Sequence, residues 1–151
     1  MRTHQEHATL VGVVAAAAFV WLGMVLAISF LEAPLKFRAP GVTVRLGLGI
    51  GRIVFAALNR VELALLAVVA IGLVAGPRTP VLVGLAVAVA ALLGVQLGVV
   101  RPALNRRSDR VLADGDADAE APRSRHHLVY VALEVVKVVL LALLGATALG
   151  V

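Results

Sequence analysis

The sequence predicts an all-α, polytopic integral membrane protein: a four-helix bundle with an interfacial amphipathic helix before span two. Three observations predict it. Hydrophobic residues make up 61% of the 151-residue chain, against about 45–50% apolar residues in soluble domains. The excess sits in long unbroken runs, the mark of spanning helices rather than of alternating strands. Lys and Arg gather in two of the connecting segments, the asymmetry that sets membrane orientation. The chain reads as one membrane domain, residues 1–151.

The first span is expected at 9–31. As a helix its apolar run would extend about 36 Å, enough to cross a hydrocarbon core of about 30 Å with some tilt. The run is longer than the roughly 7–15 apolar residues of a signal peptide, so it reads as a retained helix. Pro34 and Pro40 are expected to break it, because proline lacks the amide hydrogen and collides with the preceding turn. Segment 42–58 is apolar but carries Arg45 and Arg52, and Asn59 follows at the same spacing of seven. All three share one helical face, which suggests a helix lying in the interface and leading into span two. A fifth span is the rival reading of that segment. Span two is expected at 61–75 and span three at 81–100. The intervening "GPRTP" is a turn, so the two should form an antiparallel hairpin. Span four is expected at 128–149.

Loops 32–60 and 101–127 together carry eleven Lys and Arg residues, against two (Arg2 and Arg78) on the other side. The positive-inside rule then places both loops in the cytoplasm and both termini outside. Arg45, Arg52, Arg101, Arg106 and Arg107 fall near expected membrane ends, where they can hold anionic lipid headgroups. The second loop is basic, then acidic, then basic, and otherwise reads as solvated and partly disordered.

Polar residues within the apolar runs are costly. An Asp, Lys or Arg at a helix centre costs about 2.5–3.5 kcal/mol on insertion. Span four nevertheless holds Glu134 and Lys137, three apart on one helix face and able to pair. Tyr130 lies near that face. Glu32, Asn59, Glu62 and Gln96 fall at ends of the other spans. The expected topology puts all seven in the cytoplasmic half, as one polar layer facing the bundle interior. Such a layer either fixes helix register or binds an ion, a proton or a headgroup.

Several chemistries are excluded or disfavoured. With no cysteine there are no disulfides, thiolate metal sites or Cys nucleophiles. Asp114, Asp116 and Asp118 imitate the start of a calcium loop, but Ala119 and Arg125 stand where it needs Gly and Glu. "GLGIG" lacks the preceding strand of a phosphate-binding loop. His4 and His7 lie across the bilayer from His126 and His127 on the expected topology, so they share no metal. No nucleophile is paired with a base in any span. The chain is therefore expected to be no enzyme and to carry no metal or cofactor, and nothing points to nucleic acid. Gly47 and Gly51, Gly72 and Gly76, and Gly94 and Gly98 form G-x-x-x-G pairs. These suit close packing of spans two and three, or a homodimer.

The stretches "FLEAPLKF" and "GRIVFAALNRVE", with the four-span layout and long loop before the last span, resemble the domain of unknown function 4149, the transmembrane protein 205-like family. The resemblance covers the chain in layout and about a third of it in motif. It implies a four-helix membrane fold, a bacterial inner-membrane location and no established reaction. It directs attention to Glu32, Pro34, Phe37, Arg52, Phe55, Asn59 and Glu62. The first span loosely resembles copper-resistance membrane proteins of the CopD type, without the His, Met and Cys clusters that copper transfer needs. The expected function is binding or transport of a small solute or ion through the polar layer, or support of such a system. The alternative is a structural or assembly protein with no substrate.

Overall fold

A computed structural model describes residues 4–76, 78–114 and 125–150. It is all-helical among those residues. Helix α1 (His4–Val25) widens into a π-helical stretch (Leu26–Glu32), returns to a single α-turn, α2 (Ala33–Leu35), and ends in a 3-10 turn (Lys36–Arg38). The chain turns back at Gly41, whose φ of 78° is a left-handed conformation that glycine adopts without strain. Helix α3 (Val44–Ala75) follows, with the Thr43 hydroxyl accepting from the Leu46 amide at its start. At its far end Arg78 donates to the Leu73 and Val74 carbonyls, which the last helical turn leaves without partners. Thr79 caps α4 (Pro80–Val95) in the same way as Thr43 caps α3. A second π-helical stretch (Gln96–Val100) leads into α5 (Arg101–Asp114), and α6 (Arg125–Leu149) closes the bundle.

Four helical segments are long and apolar enough to cross a membrane: Gln5–Arg38, Val44–Ala75, Pro80–Arg106 and Leu128–Leu149. The long helices alternate in direction. α1 packs most extensively, against α3 and α6, and α4 packs mainly on α6. The residues facing one another are small or aliphatic. Val14, Ala18, Val69, Leu73, Leu144 and Ala148 fill the core near the 76–79 turn. Trp21, Val25, Val89, Leu93 and Leu141 fill the middle. The outer surface is apolar as well: Ile53 is 74% exposed, and Ile71, Val74, Val87 and Val99 also point outward. A continuous apolar exterior is a liability in water and the ordinary surface of a protein solvated by lipid.

The structure departs from the sequence expectations in four places. Pro34 does not end the first helix, which stays helical through it to Arg38. Segment 42–58 is no separate interfacial helix: α3 runs unbroken from Val44 to Ala75, with no proline inside it to stop it. At about 48 Å it outreaches a hydrocarbon core, and exposed Arg45 and Arg52 lie toward its first end. The first half of the loop expected at 101–127 is helical, as α5. Asp116, Asp118 and Ala119 lie outside the described residues. Finally, the glycine pairs do not join spans two and three. Gly72 and Gly76 face Val14 and Leu10 of α1, Gly47 and Gly51 face Phe37 and Lys36, and Gly94 and Gly98 face open space.

The close approach of α1 and α3 predicts a difference between glycines. A Cβ at Gly72 would stand 2.5 Å from Val14 Cγ2, whereas one at Gly84 would meet nothing within 4 Å. Overpacking a helix contact costs about 1–3 kcal/mol. Thermal unfolding in detergent micelles should therefore show Gly72→Leu clearly destabilised, and Gly84→Ala unchanged or slightly stabilised.

Candidate functional site

Four helices each bring a polar side chain to one buried layer. Glu62 comes from α3, Gln96 from the stretch after α4, Glu134 and Lys137 from α6, and the Trp21 indole from α1. All five residues are at most 2% exposed. Lys137 Nζ donates to Glu62 Oε1 at 2.6 Å and to Glu134 Oε1 at 3.4 Å. Trp21 Nε1 donates to the same Glu62 oxygen at 3.0 Å. Gln96 Nε2 donates to Glu134 Oε1 at 3.3 Å. A buried ammonium is tolerable only with acceptors close by, and here two helices supply them.

The layer is not fully satisfied. Glu134 Oε2 and Gln96 Oε1 are buried and accept no hydrogen bond. Two carboxyl groups also surround one ammonium. A further cation, Arg101, meets Tyr130. Arg101 donates to the Tyr130 hydroxyl at 3.1 Å, and Tyr130 sits one turn before Glu134 on α6.

Above this layer, toward the 39–43 turn, lies a cavity of about 500 Å³, within the range of small-molecule sites. Its walls combine cations (Lys36, Arg52, Arg101), hydroxyls (Ser29, Ser108, Tyr130) and aromatic rings (Phe30, Phe37, Phe55). Lys36 is paired with Glu32 at 3.4 Å and Arg52 with Asp109 at 2.6 Å. Arg101 has no carboxylate partner among the described residues. Its guanidinium instead lies 4.5 Å from the Phe55 ring centroid and 5.3 Å from that of Tyr130, and those two rings meet edge to face at 5.9 Å. The Ser29 hydroxyl, also on the wall, is buried without a hydrogen bond. Gly47 and Gly51 make the room: a side chain on either would occupy the space of the Phe37 ring or the Lys36 ammonium.

Of the seven residues expected in the polar layer, the structure brings together Glu62, Gln96, Glu134 and Lys137, with Tyr130 between the layer and the cavity. Glu32 stands apart, half-buried on Lys36. Asn59 is half-buried and joins neither group. Lys137 also prefers Glu62 over Glu134, its neighbour on the same helix. Among the arginines expected at headgroups, Arg52 and Arg101 line the cavity and Arg45 and Arg106 do not; the Arg107 side chain lies outside the described residues. Trp21 is the participant that sequence reasoning missed. Its one signal was being the only tryptophan, with an indole N–H that seeks a partner when buried. No group of three or more His, Asp or Glu residues suited to a metal occurs among the described residues.

The geometry ranks the couplings. Removing one member of a buried ion pair costs about 3–5 kcal/mol in soluble proteins, and removing both can be nearly neutral. In detergent unfolding, Lys137→Leu and Glu62→Leu are each expected to destabilise, and the double variant to recover much of the loss. Glu134→Leu with Lys137→Leu should show the smaller coupling. Equal couplings, or purely additive losses in both cycles, would contradict the observed pairing.

Comparison of the chain with protein-family models, with curated proteins and with solved structures gives no match.

Proposed function

We propose that the protein is a four-span membrane protein that binds a small amphiphilic anion in the cavity between the 26–38 segment, α3, α5 and α6. The observation that carries this reading is Arg101: a guanidinium on a cavity wall, without a carboxylate, stacked on aromatic rings. Arginine suits planar oxyanions because its fork donates two parallel hydrogen bonds. Ser29 offers a second donor. Phe30, Phe37 and Phe55 offer the apolar wall that an attached alkyl or aryl group would cover. No nucleophile stands beside a base on these walls, so the reading is binding or transport rather than catalysis. The motif resemblance to the transmembrane protein 205-like family agrees with a membrane role and adds no ligand.

A purely structural role draws support from the closed Glu62–Lys137 layer. That layer lies below the cavity, and the two roles are compatible in one molecule.

Calorimetry on the full chain in phosphatidylcholine nanodiscs, with octyl sulfate as probe, tests the reading. Octyl sulfate should bind, inorganic sulfate should bind far more weakly, and Arg101→Gln should weaken octyl sulfate about tenfold or more, the worth of one charge-assisted contact. Phosphatidylglycerol in the disc distinguishes the source: competition points to a lipid headgroup, and its absence to a soluble amphiphile. Affinity indifferent to Arg101→Gln would refute the site.

Orientation is part of the same proposal, with the cavity on the cytoplasmic side. In intact cells an impermeant thiol reagent should label Thr79→Cys and spare Ser108→Cys. The reverse pattern would turn the molecule over.

A further inference from the structure

We propose that the cavity selects ligands with a single negative charge, and that Asp109 sets this selectivity. The inference rests on the anion site proposed above and names the class of head group it takes. That class is a monoanion such as a sulfate, a carboxylate or a phosphodiester. A phosphate monoester, close to a dianion at neutral pH, is discriminated against.

The charge on the walls carries the argument. Among the described residues, three cations line the cavity, Lys36, Arg52 and Arg101, and no carboxylate does. Two of the three are already matched from outside the wall. Glu32, one turn back on the same helical path, meets Lys36 at 3.4 Å. Asp109 reaches Arg52 from α5 at 2.6 Å, a short, charge-assisted contact. Arg101 meets no carboxylate among the described residues; its guanidinium lies against the Phe55 and Tyr130 rings. The described walls thus keep one unmatched positive charge. Glu62 and Glu134 belong to the layer below, where Lys137 serves both, and neither lines the cavity. With two carboxyl groups to one ammonium, that layer offers nothing to a second negative charge.

A second ligand charge therefore costs more than it gains. Attraction to a fixed cation rises in proportion to the ligand's charge, whereas the cost of leaving water rises with the square of that charge. A monoanion matches Arg101 and leaves both existing pairs in place. A dianion needs a second cation and has to take it from a carboxylate. Lys36 is closely held: its side chain is 10% exposed, with the ammonium 5.6 Å from the Phe37 ring centroid and 5.5 Å from that of Phe55. Arg52 is the more open of the two, and Asp109 occupies the place on it that a second ligand charge would take. Asp109 is itself exposed, so its substitution changes the charge of the site with little effect on folding.

Octyl sulfate and octyl phosphate test this, because their head groups are both tetrahedral and similar in size. At about pH 8 the sulfate carries one charge and the phosphate close to two. Calorimetry uses the full chain in phosphatidylcholine nanodiscs, with empty discs as the reference because both probes partition into lipid. Wild type should bind octyl sulfate at least about fivefold more tightly than octyl phosphate. Asp109→Asn frees Arg52 and should raise octyl phosphate affinity more than octyl sulfate affinity, narrowing the ratio to about twofold or inverting it. Adding Arg52→Gln removes the freed charge and should restore the wild-type preference. A merely structural role for Asp109 would leave the double variant no better than the single one. In discs containing anionic lipid, competition by phosphatidylglycerol, a phosphodiester, identifies the monoanion as a lipid head group, and its absence identifies a soluble amphiphile. Stronger competition by phosphatidic acid, a monoester, overturns the selectivity. So does octyl phosphate binding to wild type as tightly as octyl sulfate, or a ratio that Asp109→Asn leaves unchanged, and each of these leaves the anion site standing. Octyl sulfate that binds no better than to empty discs removes the anion site and the selectivity with it.

Discussion

Lys137 is the constraint to which the interior of this molecule answers. Its ammonium is fully buried, where a charge without acceptors is prohibitive. Glu62 from α3 supplies the closer oxygen, and Trp21 from α1 shares it. Glu134 supplies the second, and Gln96, following α4, holds that carboxyl in place. Every long helix is thereby tied to one level. Elsewhere the helices meet through Ala, Val, Leu and Gly, whose smooth surfaces allow sliding and rotation at modest cost. In a lipid surrounding there is no hydrophobic drive to hold such helices in register. A buried cation with acceptors at fixed positions supplies the specificity that the apolar contacts lack.

The same layer divides the molecule by chemistry. Toward the 76–79 turn the interior is closed and aliphatic, and glycines let α3 press against α1. Toward the 39–43 turn the helices part, and cations, hydroxyls and aromatic rings line the gap. A polar path through the aliphatic half is absent from the described core. Arg101 joins the two regions, since it is a wall of the cavity and donates to Tyr130, one turn before Glu134 on α6.

Much of this was legible in the sequence. Run length and composition marked four apolar segments, and the spacing of Glu134 and Lys137 marked a polar helix face. Their partners were harder to read. The i, i+3 rule favours Glu134 for Lys137, yet a neighbour on the same helix must reach along the surface, while Glu62 arrives head-on from α3. Only the packing of helices 75 residues apart in sequence decides between them. Trp21 was invisible for the same reason: nothing local distinguishes a tryptophan in a core from one facing lipid. The cavity was the least legible feature. Arg52 and Arg101 carry similar local signals, and what separates them is that Asp109 neutralises one and no carboxylate among the described residues meets the other.

Proline explains both why the cavity exists and why the helix ends were misjudged. Pro34 and Pro102 each lie inside what remains a helical path, and each is preceded by a π-helical stretch, Leu26–Glu32 and Gln96–Val100. In both cases the residue just before the proline donates five residues back: Ala33 to the Ile28 carbonyl and Arg101 to the Gln96 carbonyl. A proline ring collides with the carbonyl four residues earlier, and widening the turn by one residue relieves the collision without ending the helix. One inserted residue rotates everything after it by about 100° relative to a regular helix. On the first path this carries Lys36 and Phe37 onto Gly51 and Gly47; on the second it carries Arg101 onto Phe55 and Tyr130. The two rotations put Lys36 and Phe37 from the first path and Arg101 from the second on the walls of one space. Reading Pro34 as a stop treats it as removing structure, whereas here Pro34 and Pro102 redirect two helices, and the space between them is the cavity.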